Sequence, residues 1–180
     1  HTAGVPGSLG GDFEPVERDD FVRLALDAPL ESVPGERYEY SNVGYSLLGI
    51  VIELVTGQGY EEFVREAVLE PAEMADTGYR RPGWEGRVAV GYRGGQRWGT
   101  VLERPWASDG PGWHLRANGG LHTTVGDLWR WHRALVENRV LDAATRAAME
   151  SPQVPEDPEG RSHYGYGWVV EESQRGTKLV

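Results

Sequence analysis

Tyr40, Ser41 and Asn42 place a phenol, a hydroxyl and a carboxamide at consecutive positions, just ahead of a long apolar run. A tyrosinate can take the proton from a serine hydroxyl if a nearby cation lowers its pKa from about 10. A carboxamide two residues on can donate to an acyl carbonyl and accept from the neighbouring N–H. Together they supply a general base and a substrate-orienting amide on one support. The plain alternative is that Tyr40 packs in the core while Asn42 caps the following helix. The tripeptide alone leaves both readings open.

The support must come from the segment after Asn42. From Val43 to Val55 the apolar residues run almost all round a helix, interrupted by Ser46, Gly49 and Glu53, which predicts burial on most sides. Gly57 is its expected left-handed cap. Asp19/Asp20 predict the cap of a shorter helix over roughly 20–28, with Phe21, Leu24 and Ala25 on one face. A further amphipathic helix is expected over 59–69, and Pro71 stops it. Thr124 with Asp127 forms a Thr-x-x-Asp cap for a helix over 125–136, and another helix is expected over 142–149.

Between 78 and 118 the chain turns Gly-rich and holds Trp84, Trp98, Trp106 and Trp113. Short alternating runs at 87–90 and 98–102 predict strands. The four tryptophans suit either the floor of an apolar acyl-binding cleft or ordinary packing. Tyr164 to Val170 reads as a strand, and Val180 as part of another.

Composition narrows the function classes. Hydrophobic content of 39% and charged content of 26% are those of a globular chain. A formal charge of −10 argues against a nucleic-acid partner. No stretch of about 18 apolar residues suggests a membrane span. The absence of cysteine removes disulfide and thiolate chemistry without fixing a compartment. Lys178 is the single lysine among the 18 basic residues, a bias that points to a GC-rich bacterial genome. His1, His114, His122, His132 and His163 form no i, i+4 pair, so neither metal nor cofactor is expected. His132 is expected on a helix face and His122 at a pocket rim. Gly94-Gly95 and Gly119-Gly120 lack the strand and helix context of phosphate loops. Gly119-Gly120 is read instead as a close backbone approach near the site. The opening at His1 and the close at Val180 both look like cuts in a longer chain.

The string Tyr40-Ser41-Asn42-Val43-Gly44-Tyr45-Ser46-Leu47-Leu48-Gly49 resembles the second motif of the β-lactamase-related serine hydrolases. That family includes class C β-lactamases, D-alanyl-D-alanine carboxypeptidases and esterases. His1-Thr2-Ala3-Gly4 resembles its HTSG segment. Glu70-Pro71-Ala72-Glu73-Met74-Ala75-Asp76-Thr77 resembles its PLGM-x-D-T stretch, with Ala72 and Glu73 where Leu and Gly are usual. Asn118-Gly119-Gly120-Leu121-His122-Thr123-Thr124-Val125-Gly126-Asp127-Leu128 resembles GGL-x-ST-x-x-DL, with Thr123 for Ser. Tyr164-Gly165-Tyr166-Gly167-Trp168 resembles the strand before its third motif.

The resemblance implies an α+β, penicillin-binding-protein-like (transpeptidase-like) fold. The chain would hold mainly its helical lobe, about 20–160, plus strands of the antiparallel sheet at 163–180. It implies acyl transfer through a serine acyl-enzyme on an ester, amide or lactam, with Tyr40 as general base and Asn42 orienting the substrate. Ser41, Gly119, Gly120 and His122 would serve binding. The family's Ser-x-x-Lys nucleophile cannot exist here, since Arg175 stands three residues before Lys178. It would precede His1, and the third motif, His-x-Gly or Lys-Thr-Gly, would follow Val180. Gly176-Thr177-Lys178 has the right letters in the wrong order. Three readings result: an esterase or peptidase completed by segments on either side, a β-lactamase proper, or an inert binding module.

Overall fold

A computed structural model gives the fold and describes residues 1–81, 83–84, 86–103 and 110–180. The long apolar run forms α2, Asn42–Thr56. The Ser41 hydroxyl caps its start by accepting from Gly44 N–H, and Gly57, at φ 72°, closes it by donating to Glu53 O. Helix α1, Arg18–Asp27, packs Phe21 and Ala25 against α2. Its start departs from expectation. Glu17 stands at the cap without a side-chain bond, and Asp19 and Asp20 fall in the first turn, where they favour the positive end of the helix dipole. Leu24 turns outward rather than joining Phe21 and Ala25.

The main core lies between these helices and a loop carrying Trp113. Phe21, Ala25, Val43, Ile50 and Trp113 are buried, with Val5, Leu9, Val16, Leu47 and Tyr60 packed around them. Gly49 makes this contact close. A Cβ there would stand 2.3 Å from the Ala117 Cβ and 3.4 Å from Trp113. Gly49→Ala is therefore expected to destabilise the protein by about 1–3 kcal/mol through overpacking, read as a fall in urea midpoint.

Burial of α2 is narrower than its sequence predicts. Val43, Ser46, Gly49 and Ile50 face the core, but Leu48, Val51, Leu54 and Val55 are exposed. Among the described residues nothing covers that second apolar face. After Gly57, α3 (Tyr60–Val64) continues as a π-helical turn, Arg65–Leu69, where a single regular helix was expected. The Glu53 carboxylate accepts from Tyr60 N–H and ties α3 to α2. A second core gathers Leu69, Ala72, Met74 and Ala134.

The Gly-rich middle forms one hairpin, β1 (Gly91–Arg93) with β2 (Gln96–Gly99), and Gly94-Gly95 is its turn. The strands expected at 87–90 and 98–102 are thus displaced, and Val101–Glu103 is a 3₁₀ turn closed by Glu103 N–H on Thr100 O. Helices α4 (Val125–Val136) and α5 (Ala143–Met149) match expectation. Their starts are capped by Thr124 and Asp142. His132 lies on α4, stacked on Trp129 at 5.5 Å.

A four-stranded antiparallel meander ends the chain: β3 (Val154–Pro155), β4 (Ser162–Tyr164), β5 (Val169–Glu172) and β6 (Lys178–Leu179). It starts at Val154, inside the range assigned to the helical lobe. The single strand expected from Tyr164 to Val170 is instead a hairpin. Gly165 N–H donates to Trp168 O, and Tyr164 pairs with Val169 across the turn. Gly165 also sits where a Cβ would be 2.5 Å from Met149 O, so the chain bends against α5.

Candidate active site

Residues 38–41 lead into α2 outside any helix or strand, and Ser41 is extended, with φ −140° and ψ 114°. The segment 1–7 runs alongside and fixes this stretch: Glu39 N–H donates to His1 O, Ser41 N–H to His1 Nδ1 at 3.1 Å, and Asn42 N–H to Gly7 O. Gly4 permits this run. It has φ 69°, and a Cβ there would stand 2.1 Å from Ser32 O.

Ser41 is 3% exposed. Its hydroxyl donates to Pro6 O at 2.7 Å and accepts from Gly44 N–H at 3.0 Å. The donor and one acceptor lone pair are thus engaged within the chain, so Ser41 serves as a cap for α2 and a strut to Pro6. Because Ser41 caps α2, Asn42 does not. Asn42 is the first helical residue, and among the described residues its carboxamide has no hydrogen bond. Tyr40 is 56% exposed, which overturns the core-packing alternative. Base and amide candidates therefore stand at the mouth of a rigid helix.

The sequence did not reveal what surrounds Tyr40. The His1 ring lies 4.3 Å from Tyr40, 4.8 Å from Tyr45, 4.5 Å from Tyr164 and 5.6 Å, edge-on, from Tyr38. Tyr164 reaches this cluster from β4, joining the sheet to the start of α2. Burial and the adjacent Tyr45 push the Tyr164 phenol up, and burial with the Glu156 carboxylate pushes Tyr38 to about 12. Neither of these two suits a base at neutral pH. The sign has a consequence for stability. Below pH ~10 these phenols are neutral in both folded and unfolded chains; above it the unfolded chain ionises first. Stability is expected to fall as pH rises from 10 toward 12, seen as alkaline unfolding that coincides with phenolate absorbance.

The inner side of α2 holds a second set of contacts. Ser46, fully buried, donates to Arg116 O at 2.7 Å and accepts from Asn118 Nδ2 at 2.7 Å. Ala117, at φ 70°, donates its N–H to the Tyr79 hydroxyl. These bonds clamp the loop before Gly119-Gly120 onto the helix that begins at Asn42. At Gly119 a Cβ would stand 3.1 Å from the Leu115 side chain, a side-chain neighbour where a close backbone approach was expected, and Gly120 has φ 80°.

His122 is placed by backbone pairing with Gly78, at 3.0 and 2.8 Å, and its ring is edge-on to Trp84 at 6.0 Å. Burial lowers its pKa against the opposing pull of backbone hydrogen bonds at Gly78 and Tyr79, which favours the neutral imidazole. It lines a cavity of about 260 Å³ with Trp84, Arg87 and Thr123. The tryptophans divide by neighbourhood. Trp113 is core, Trp84 meets His122, Trp98 meets Phe13 at 5.6 Å, and Trp106 lies outside the described residues.

Lys178 sits on β6 with its ammonium 3.9 Å from Glu150. Asp127 explains why two of the chain's motifs occur together. Fully buried, it accepts from Asp76 N–H at 2.9 Å, the Thr77 hydroxyl at 2.7 Å and Arg130 at 2.7 Å, while Thr77 also bonds Thr123. The Met74-Ala75-Asp76-Thr77 stretch and the His122–Leu128 stretch are thus the two halves of one brace.

The family model described as Beta-lactamase matches residues 1–179, and the chain belongs to that family. It is similar to penicillin-binding protein 4* of Bacillus subtilis, 27% identical across all of this chain and 43% of the relative. Among solved structures, a penicillin-binding protein from Bacillus halodurans superposes at TM-score 0.75 with 25% identity, covering 98% of this chain and 55% of that one. An octameric penicillin-binding protein homologue from Pyrococcus abyssi superposes at 0.76 with 30% identity, covering 99% and 43%. The α+β fold expected from the motifs is therefore the fold found. The chain spans about half the length of the relatives it matches.

Proposed function

We propose that this chain is the helical lobe and part of the sheet of a serine hydrolase that opens an ester, amide or lactam through a serine acyl-enzyme. The carrying observation is the pairing of an exposed Tyr40 with an Asn42 whose carboxamide is left open because Ser41 does the capping. Tyr40 takes the proton of an incoming serine hydroxyl and returns it to the leaving group. Its phenol needs a cation to ionise near neutrality, a role for the lysine of a Ser-x-x-Lys motif. Asn42 bonds the acyl side chain. Serine, lysine and oxyanion donors belong to segments flanking residues 1–180.

Burst kinetics test this on the full-length protein. With a chromogenic ester or cephalosporin, acylation faster than deacylation releases a burst of leaving group matching the enzyme concentration, followed by slower turnover. Failure to turn over any ester, amide or lactam would sink the hydrolase reading and leave the inert binding module.

A further inference from the structure

We infer that His1 is a positioning residue for Tyr40, acting through the peptide that joins Tyr40 to Ser41; this rests on the reading of Tyr40 as the general base. The N–H of that peptide belongs to Ser41, which is 3% exposed, and it donates to His1 Nδ1 at 3.1 Å. A buried N–H without a partner is costly, so this bond holds the peptide plane in one orientation. That plane sets the direction of Tyr40 on one side and the start of α2, with Asn42, on the other.

Accepting at Nδ1 fixes the tautomer: the proton of a neutral His1 ring is on Nε2. Nε2 is buried and has no hydrogen-bond partner among the described residues. The ring is therefore oriented by the Nδ1 bond and by packing against four phenols rather than by a second hydrogen bond. Its 4.3 Å approach to Tyr40, at 37° between planes, props the phenol from the side of the sheet. The same ring touches Tyr164 at 4.5 Å, so it also couples the base to β4. His1 touches no reacting atom in this account.

Two substitutions separate the acceptor from the ring. His1→Phe keeps an aromatic ring and removes Nδ1, whereas His1→Asn restores an acceptor and removes the ring. In the full-length protein, His1→Phe is expected to lower the acylation rate constant about 10- to 100-fold, the size of a buried N–H left unpaired, with KM within about twofold. His1→Asn is expected to recover most of that loss. A His1→Phe rate within twofold of the unsubstituted protein overturns the inference, and so does His1→Asn acylating no faster than His1→Phe.

A readout independent of turnover is the ¹⁵N spectrum of uniformly labelled protein. The inference requires an unprotonated Nδ1 and a protonated Nε2 on His1, and a Ser41 amide resonance that moves in His1→Phe and returns toward its place in His1→Asn. The opposite tautomer, or an unmoved Ser41 amide resonance, overturns it. Should no substrate be turned over, the proposed function fails while these spectra still decide the role of His1.

Discussion

Replacing Tyr40 by Phe in the full-length protein is expected to slow acylation by about 10²- to 10⁴-fold, the span attributed to a positioned general base. Thermal stability should change little, because Tyr40 is more than half exposed and its hydroxyl supports no described bond. The ring remains, so the contact with His1 survives. The loss belongs in kcat and kcat/KM together, because the proton transfer is made in the transition state. Near-normal acylation by Tyr40→Phe would reduce Tyr40 to a surface aromatic.

The second large effect concerns the brace. Asp127 is a fully buried carboxylate joined to a backbone N–H, a hydroxyl and a guanidinium. Asp127→Ala removes the acceptor, leaving the Asp76 N–H unpaired and the Thr77 hydroxyl with Thr123 as its remaining partner. A buried donor that loses its acceptor costs about 1–3 kcal/mol, a large fraction of the stability of an ordinary domain. Arg130 is half exposed and regains water, so most of the cost lies with the Asp76 N–H. Urea unfolding of the full-length protein would show it as a lowered midpoint. Asp127→Asn keeps shape and one acceptor oxygen, and should cost clearly less. Equal midpoints for Asp127→Ala and the unsubstituted protein would remove the brace from the account.

What the sequence made legible was local. Thr124, three residues before Asp127, announced α4 because an N-cap is satisfied within one turn. Gly57 announced the end of α2 for the same reason, since a left-handed residue is a property of one position. Family motifs, being ordered along the chain, gave the fold. The misses were of two kinds. Tyr164 to Val170 read as a strand because Tyr-Gly-Tyr-Gly-Trp alternates, yet the bend depends on Gly165 meeting the backbone of Met149, a contact the alternation does not encode. The apolar run of α2 predicted burial nearly all round, whereas burial depends on what lies opposite each face.

The site was half legible for the same reason. Tyr40 and Asn42 stood out as residue types, and the open alternative that Asn42 caps α2 was resolved only by the Ser41 bond to Gly44 N–H. His1 entered as part of a motif and as a metal candidate. Its place among Tyr38, Tyr40, Tyr45 and Tyr164 joins residues more than 160 positions apart, beyond the reach of any short spacing. Gly119 and Gly120 were noticed, but the clamp that matters there is Asn118 on Ser46, an ordinary-looking pair 72 residues apart.

Labelling the full-length protein with a fluorophosphonate or a labelled penicillin, followed by intact mass and mapping of the modified peptide, tests the acyl-enzyme directly. A single adduct is expected on a serine of a Ser-x-x-Lys motif outside residues 1–180, formed much more slowly in Tyr40→Phe. An adduct on any serine within residues 1–180, or no adduct at all, would contradict this expectation.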